Sequence, residues 1–406
     1  MGDPMPCTIP LPHRLLVLSP ESPLPPRHGG RVDLARRLAA LRAQGVEVML
    51  VFWASPKATA ELEAVSSALN ELAHEVIVLE ELSLRGYLRA GARYPLWVGQ
   101  RAMTAQAAAG VAARARAFGA AAILLDNLNG AAGLDRLRSI LPLPYAYRAH
   151  NVEHRYAASQ TAGARGLRAR LIGWLVRAGM LRLETRIRRE AVQVLDISPE
   201  DLAFWQGRGE RHGHWSPVLF DKVSAARLSE TAAWQPEVDV GYLGNLYAPN
   251  NLAGLRWFLA EVVPILRQSR ATISIRIAGA QPDPALWAAC QAAGVSLLAD
   301  PADAVTVLRG ARVLINPVFA GSGTNVKATE MLFTPAALVS TPQGLAGLPE
   351  EARACFAQAG TAADFAQAIL AAARPGNRDL ARKAFLDTAL APFLAALSSF
   401  HAAGKP

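Results

Sequence analysis

One segment of the sequence places an apolar strand, a glycine turn and a charged helix in direct succession. Residues 316–332 read Asn-Pro-Val-Phe-Ala-Gly-Ser-Gly-Thr-Asn-Val-Lys-Ala-Thr-Glu-Met-Leu. Free amides at a helix start bind anions, and Lys327 adds a positive charge beside them. Glu330 follows three residues later on the same helix face, where its carboxylate can accept hydrogen bonds from sugar hydroxyls. The segment therefore predicts a cradle for a diphosphate and a sugar. The alternative is a tight turn in which Lys327 and Glu330 only pair with each other.

A second candidate loop lies between the first predicted strand and the first predicted helix. It reads Pro-Pro-Arg-His-Gly-Gly-Arg over residues 25–31. Gly29 and Gly30 let the backbone approach a ligand closely, and a helix start favours an anion there. The pattern is not G-x-G-x-x-G, so it does not predict a nicotinamide dinucleotide site. A plain strand-to-helix turn has the same composition and remains an alternative.

The third candidate loop carries two histidines. His150 and His154 have the spacing of a helical metal pair, but the H-E-x-x-H motif needs Glu where Asn151 stands. We therefore expect no metal site. We expect His150 to lie at the carboxyl end of a strand and to face a cleft. A histidine with no role is the alternative.

The elements that position these loops alternate between short apolar runs and helical stretches. In the first half, strands are predicted at residues 14–18, 46–52, 75–79, 121–125, 145–147 and 192–197. In the second half, they are predicted at 238–243, 273–277, 295–298, 311–315 and 337–340. This alternation predicts two α/β domains, each a doubly wound, Rossmann-like parallel sheet covered by helices. Ligands bind beyond the carboxyl ends of such strands, where all three loops lie.

The domain boundaries follow from a stretch rich in turn-forming residues. We predict an N-terminal acceptor domain over residues 1–210 and an inter-domain linker over 211–236. A C-terminal donor domain is predicted over 237–381. Residues 382–406 are predicted to form a C-terminal helix that packs back on either domain.

Taken together, these segments resemble a known family. Residues 321–330 with 338–348 (Leu-Val-Ser-Thr-Pro-Gln-Gly-Leu-Ala-Gly-Leu) resemble the donor-site signature of family-4-like retaining glycosyltransferases of the bacterial polysaccharide or glycolipid type. Four other segments occur in the family's order: residues 28–30, 150–154, 197–201, and 241–245 with 249–251. The resemblance spans nearly the whole chain and implies the glycosyltransferase-B architecture, in which two Rossmann-like domains face each other across a cleft.

The resemblance also implies roles for individual residues. Glu330 would bind the nucleotide ribose, Lys327 the diphosphate, and His150 would lie beside the reacting sugar. The implied donor-binding set comprises Gly29, Gly30, Gly244, Asn245, Gly321, Ser322, Gly323, Thr324, Asn325 and Val326. The family implies no metal and no cofactor besides the nucleotide-sugar donor, and retaining transfer without an obligatory protein nucleophile.

The sequence departs from the family pattern at two positions. Ser322 stands where many members have a second glutamate, which changes how the donor sugar is recognised. Asn245 stands where a basic residue is often found. Lys327 is therefore expected to carry more of the diphosphate charge.

The charge distribution suggests what the N-terminal half contacts. The net charge is +9, and residues 1–200 contain 25 Lys and Arg against 17 Asp and Glu. Arginines alternate with aromatic and apolar residues over 82–118 and 165–189. This pattern predicts an acceptor that is a lipid-linked saccharide or glycolipid, at the inner face of the cytoplasmic membrane. The alternative is that these arginines belong to solvated helix faces and bind nothing.

The rest of the composition narrows the possible classes. No apolar run reaches the ~20 residues that span a bilayer, and no secretory signal pattern begins the chain, so we expect a cytoplasmic, peripherally bound protein. Three scattered cysteines predict neither a disulfide framework nor a zinc site. A nucleic-acid-binding protein is disfavoured because no recognised motif accompanies the charge. A nucleotide-sugar epimerase of the same fold and a non-catalytic nucleotide-binding protein remain alternatives.

Overall fold

The computed structural model contains two parallel β-sheets. It describes residues 13–26, 29–55, 58–161, 166–230, 234–320, 324–372, 377–386 and 390–403. The strands of the first sheet are β1 (Arg14–Ser19), β2 (Glu47–Ala54), β3 (Glu75–Glu80), β4 (Ala122–Asp126), β5 (Tyr145–Ala149), β6 (Gln193–Asp196) and β7 (Gly213–Trp215). Those of the second sheet are β8 (Val238–Asn245), β9 (Ile275–Ala280), β10 (Ser296–Ala299), β11 (Ala311–Asn316), β12 (Ala337–Ser340) and β13 (Ala357–Gln358).

Helices alternate with the strands along the chain. Those before β8 are α1 (Gly29–Ala43), α2 (Thr59–Ala64), α3 (Ser66–Leu72), α4 (Leu84–Arg89), α5 (Leu96–Gly99), α6 (Ala105–Phe118), α7 (Ala131–Arg138), α8 (Glu153–Thr161), α9 (Leu167–Arg177), α10 (Met180–Glu190), α11 (Pro199–Gln206) and α12 (Lys222–Ser229). Those after it are α13 (Pro249–Trp257), α14 (Val263–Ser269), α15 (Pro284–Ala292), α16 (Ala304–Arg309), α17 (Val326–Leu332), α18 (Glu350–Arg353), α19 (Ala362–Ala371), α20 (Asp379–Leu386) and α21 (Leu390–Ala403). Short 3-10 turns lie at Leu128–Gly130 and Gln343–Leu345, and a π-helical turn, Phe258–Val262, joins α13 to α14.

The first sheet has the strand order β3-β2-β1-β4-β5-β6-β7, and every neighbouring pair is parallel. Its central strands are buried along nearly their whole length because helices cover both faces. That double burial explains why these strands are continuous apolar runs in the sequence.

The second sheet has the order β10-β9-β8-β11-β12-β13 and is also entirely parallel. In both sheets the chain moves outward on one side and then returns to continue on the other. Each sheet thus has a topological switch point next to its first strand, β1 or β8, where a crevice opens. The predicted α/β class with two doubly wound parallel sheets is confirmed.

The range predicted as an inter-domain linker, residues 211–236, contains regular structure. Strand β7 extends the first sheet to Trp215, five residues beyond the boundary predicted at residue 210. Helix α12 packs with Val218 and Phe220 into the core of the second sheet. A three-residue strand with no apolar run leaves no periodic signal, so the sequence pattern showed only turns there.

The last two described helices pack on different sheets. On α20, Phe385 is fully buried against the second sheet's core, and Arg382 Nε donates to the Leu332 carbonyl at 2.9 Å. On α21, Phe393, Leu397 and Phe400 pack against β1, β2 and β6 of the first sheet. The chain therefore returns to its N-terminal domain. Within the described residues, no helix is both long and apolar enough to span a bilayer.

Candidate functional site

Lys327 is the second residue of α17. Its Nζ donates to the Tyr242 hydroxyl at 2.8 Å and to Asn251 Oδ1 at 2.9 Å. It also lies 4.5 Å from the centre of the Tyr242 ring. Burial lowers the pKa of Lys327 to about 7. Two neutral partners hold the ammonium in place, and no carboxylate in the described part of the chain pairs with it, so its charge is available to an anion.

The alternative interpretation required Glu330 to pair with Lys327, but the two side chains do not pair. Glu330 Oε1 instead accepts a hydrogen bond from Arg36 Nη2 at 3.1 Å, and Arg36 is on helix α1 of the other domain. Burial raises the pKa of Glu330 above its ordinary value, although the positive charge of Arg36 opposes that rise. Arg36 is itself held between the Phe220 ring, 4.5 Å from its guanidinium carbon, and Asp221, 3.4 Å away. An arginine thus links the N-terminal domain to the predicted ribose-binding carboxylate.

The helices that follow the two predicted glycine loops begin close to each other across the cleft. Gly29 is the first residue of α1 and Gly30 the second. A β-carbon added at Gly29 would lie 2.7 Å from Cγ2 of Val326, the first residue of α17. The starts of α1 and α17 are therefore so close that any side chain at position 29 would require Val326 to shift.

Thr324 joins the two domains rather than facing the cleft with its hydroxyl. Its Oγ1 donates to the Ile197 carbonyl at 2.8 Å and lies 3.2 Å from the Gly347 carbonyl. Asn325 precedes α17 without capping it through its side chain, and its Nδ2 lies 3.5 Å from Asn316 Oδ1. The Asn325 side chain thus leaves the start of α17 uncapped, although its backbone carbonyl accepts from the Ala328 amide at 2.9 Å. Because α17 has only seven residues, Lys327 supplies most of the positive charge at its start.

Three predicted donor-binding residues, Gly321, Ser322 and Gly323, lie outside the described residues. Their predicted contacts with the donor sugar therefore remain predictions. The described residues on either side of these three, Ala320 and Thr324, follow β11 and precede α17.

Gly244 and Asn245 end strand β8 and shape the segment that holds Lys327. A β-carbon at Gly244 would lie 2.6 Å from the Tyr242 hydroxyl, so glycine leaves room for the tyrosine that contacts Lys327. Asn245 Oδ1 accepts from the Tyr247 and Ala248 amides at 2.9 and 3.0 Å. Its backbone carbonyl accepts from Asn251 Nδ2 at 2.8 Å. The Asn245 side chain therefore orders the loop that presents Asn251 to Lys327.

His150 directly follows β5 and is partly buried. Its Nε2 is 3.0 Å from Asp126 Oδ1 at the end of β4. Burial alone would lower the pKa of His150, but the Asp126 carboxylate outweighs it and raises this pKa. The preceding Arg148 bonds Asp33 of α1 at 2.7 Å, in a fully buried pair that ties β5 to the helix bearing Gly29. The His150 ring and the helix that begins at Gly29 are thus both fixed to the first sheet.

The rest of the histidine loop is held by one carboxylate of α10. Glu184 accepts from the backbone amides of Glu153 and His154 at 2.9 and 3.1 Å, which caps the start of α8. The ring of His154 bonds the same carboxylate at 2.7 Å. His150 and His154 therefore have different acidic partners. Among the described residues, no three His, Cys, Asp or Glu side chains are grouped as metal ligands.

Several residues of this site carry no signal that marks them as such in the sequence. Arg36 pairs with a residue 294 positions away, and no local pattern marks that contact. Tyr242 and Asn251 lie in segments that the sequence analysis singled out, but their contact with Lys327 was not predicted. Asp126 ends a buried strand, so its position at the sheet's carboxyl edge is the one signal that could have identified it.

The second domain matches a known protein family. Residues 237–374 match the family model described as "Glycosyl transferases group 1". That range contains β8 to β13 and the Lys327–Glu330 helix. A Klebsiella pneumoniae protein described as an uncharacterized 44.6 kDa protein in a cps region is 22% identical over 366 residues, which cover 82% of this chain and 84% of the relative.

Two solved structures share the fold over nearly the whole chain. The complex of Anabaena HepE with UDP has a TM-score of 0.60 at 15% identity, covering 96% of this chain and 98% of HepE. WaaG, a glycosyltransferase involved in lipopolysaccharide biosynthesis, has a TM-score of 0.58 at 14% identity, covering 97% of this chain and 95% of WaaG. The predicted two-domain architecture is confirmed.

Proposed function

We propose that this protein, a glycosyltransferase of the glycosyltransferase-B fold whose residues 237–374 form a group 1 glycosyl transferase domain, transfers a sugar from a nucleotide-sugar to a hydroxyl of a lipid-linked saccharide or glycolipid. We place this reaction in the synthesis of a cell-surface polysaccharide or glycan. The family-4-like subtype and retention of configuration are part of the proposal.

The observation that carries the proposal is the convergence of α1 and α17 across the cleft. Gly29 leaves less than a methyl group of space beside Val326, and Arg36 reaches Glu330. Lys327 and Glu330 thus lie beyond the carboxyl ends of the strands, at the side of the second sheet that faces the first domain. Ligands of open parallel sheets bind in this position. A nucleotide diphosphate has the charge for Lys327 and the ribose hydroxyls for Glu330.

The chemistry proposed for this site is stabilisation of the departing diphosphate. Lys327 would neutralise charge that develops on the leaving oxygen, and the uncapped amides of α17 would donate hydrogen bonds to it. His150, fixed by Asp126, would lie beside the reacting sugar. The leaving oxygen would accept the proton of the incoming hydroxyl, so no protein nucleophile and no metal is required.

The relatives support the donor class and the cellular setting. HepE has been crystallised with UDP and with UDP-glucose, WaaG acts in lipopolysaccharide biosynthesis, and the Klebsiella relative lies in a cps region. The basic N-terminal half of this chain suits an acceptor at the inner face of the cytoplasmic membrane. We propose a cytoplasmic, peripherally bound enzyme on these grounds.

Thermal stabilisation by a panel of UDP-, GDP-, dTDP- and ADP-sugars tests the donor site. A ligand that binds only the folded state raises its stability by about 2.7 kcal/mol at a hundredfold excess over Kd. We expect one nucleotide class to stabilise the protein, Glu330→Ala to abolish the shift, and the exposed Glu350→Ala to leave it unchanged. Transfer of labelled sugar from that donor to a membrane lipid extract then tests the acceptor. A shift that survives Glu330→Ala would refute the assigned site.

A further inference from the structure

A second concave site lies on the N-terminal domain, between the α4–α5 loop and helix α10. The cavity has a volume of about 820 Å³. Among the described residues that line it are four arginines and no acidic residue; the arginines are Arg93, Arg182, Arg186 and Arg189. Three of them come from one face of α10, because positions 182, 186 and 189 are four and three residues apart. The wall of the cavity is therefore strongly positive.

Within the described residues, Arg186 is the one arginine of these four that has an acidic partner. Arg186 forms two hydrogen bonds with Asp135, at 3.0 and 2.5 Å, and Asp135 also accepts the Tyr94 hydroxyl at 2.7 Å. Arg93, Arg182 and Arg189 are exposed and form no hydrogen bond or ion pair within the described part of the chain. Three uncompensated guanidinium groups around one cavity attract a group with more than one negative charge or several anionic oxygens.

The surface beside the cavity indicates that this anion belongs to a lipid. On α9, Leu167, Leu171 and Trp174 form one face and are 86%, 58% and 59% exposed. Arg168 and Arg170 lie beside this apolar face. Leu181, at the start of α10 next to Arg182, is 49% exposed as well. An exposed apolar face bordered by arginines suits the boundary between lipid headgroups and acyl chains.

A soluble anion or a nucleic acid would not account for this combination. A free phosphate gains nothing from an exposed leucine and tryptophan face. A nucleic acid would need free stacking surfaces in the cavity, but Tyr94, its one aromatic residue, is held by Asp135. Residues 82–101 and 166–183 contain eight arginines and no acidic residue, so the charge matches an anionic membrane surface throughout.

We propose that this cavity binds the phosphate of an anionic membrane phospholipid while the apolar face of α9 lies in the headgroup region. The inference goes beyond the donor site and rests on the proposed function only in placing the acceptor at a membrane. The opposite side of α10 carries Glu184, which caps the His150–His154 loop. The helix that would contact the lipid thus also holds the loop proposed to face the acceptor.

Sedimentation with phosphatidylcholine vesicles, with and without phosphatidylglycerol, tests this site. The variant Arg182→Gln/Arg189→Gln removes two cavity charges, and Arg211→Gln/Lys222→Gln removes two exposed charges elsewhere. We expect the cavity variant to bind phosphatidylglycerol vesicles about tenfold more weakly or worse, and the control to bind nearly as wild type. Equal losses in both variants, or binding that ignores phosphatidylglycerol, would overturn the proposal.

Two further measurements separate the sources of the phosphate and the two proposals. Inorganic phosphate at vesicle-equivalent concentration should not displace the vesicles, and Leu171→Ser/Trp174→Ser should weaken their binding. Displacement by inorganic phosphate with no effect of the serine variant would instead indicate a free-phosphate site and refute a lipid ligand. Nucleotide-sugar stabilisation should be the same in the cavity variant as in wild type. If no nucleotide-sugar binds but the cavity variant alone loses vesicle binding, the donor proposal fails and the lipid site stands.

Discussion

At the scale of single residues, the protonation state of Lys327 determines how strongly the site binds a diphosphate. Its partners, Tyr242 and Asn251, are neutral, and burial lowers its pKa to about 7 from an ordinary 10.5. In the empty protein above pH 7, much of the population therefore carries a neutral amine. A bound diphosphate favours the charged form and raises this pKa again.

Nucleotide binding above pH 7 is therefore expected to take up as much as one proton through Lys327, and affinity should fall as the pH rises through that value. Titration calorimetry in buffers of different ionisation enthalpy measures the uptake. Lys327→Arg keeps a permanent charge, so its uptake should vanish. Lys327→Ala should lose about 10²–10³ in turnover with folding intact. Uptake that persists in the arginine variant would assign the proton to another group.

Burial shifts the pKa of the Glu153 carboxyl group, close to His150 in the sequence, in the opposite direction. Burial, reinforced by the nearby Glu184 charge, raises the pKa of Glu153 from 4.5 to about 8. The folded protein therefore holds a proton at Glu153 that the unfolded chain releases above pH 4.5. Its contribution to stability is complete below pH 4.5 and is lost as the pH rises through about 8.

Glu153→Gln mimics the protonated carboxyl group and is expected to remove this loss. Its Oε1 can still accept from Asn127 and Asn151. Relative to wild type, the free energy of unfolding should improve on the order of 4 kcal/mol as the pH rises from 4.5 to about 8. Urea unfolding across that range measures the difference. Parallel pH profiles for the two proteins would show that Glu153 ionises normally.

At the scale of elements, the contact between the starts of α1 and α17 determines how closely the two domains approach each other across the cleft. A methyl group at position 29 would lie 2.7 Å from Val326 Cγ2, and overpacking of this kind costs about 1–3 kcal/mol. Gly29 does not have a positive φ, so alanine is compatible with its backbone and only the inter-domain contact suffers.

Gly29→Ala is expected to weaken donor affinity by about tenfold while leaving the domain melting transitions nearly unchanged. Val326→Ala removes the Cγ2 methyl group and should restore part of that affinity in the double variant. Gly110→Ala on α6, where an added β-carbon meets nothing within 4 Å, is the control and should bind donor normally. Additive losses in the double variant would mean that the two residues act independently.

The elements that could be predicted from the sequence are those with a distinct local sequence pattern. Buried strands such as β1, β2 and β11 are continuous apolar runs, and the Gly-Ser-Gly turn with Lys327 and Glu330 is a local pattern. Strands β7 and β13 have three and two residues and no such run. Arg36 and Thr324 act through partners 294 and 127 positions away, which no window of sequence reveals. The predicted roles of Lys327, Glu330 and His150 remain to be tested by ligand binding.

At the scale of the whole molecule, the C-terminal segment joins the two domains. Helix α20 packs on the second sheet and α21 returns to the first, so the chain passes from one domain to the other after β7 and again between α20 and α21. Phe385 and Phe393 are both 0% exposed, yet they belong to different cores. Arg37, part of the buried Asp33 network, lies 4.8 Å from the Phe393 ring centre, so α21 also supports the helix that bears Gly29.

These two phenylalanines form a matched pair for testing that arrangement. Each change to alanine should cost about 3–5 kcal/mol because it empties a fully buried site. Hydrogen exchange followed by peptide mass spectrometry should show faster exchange of β1, β2 and α1 in Phe393→Ala, and of β11 and α17 in Phe385→Ala. Donor binding should weaken in both variants, since α1 and α17 each line the cleft. Identical exchange patterns would mean that the two domains unfold as one unit, whereas a silent Phe393→Ala would mean that α21 does not stabilise the first sheet.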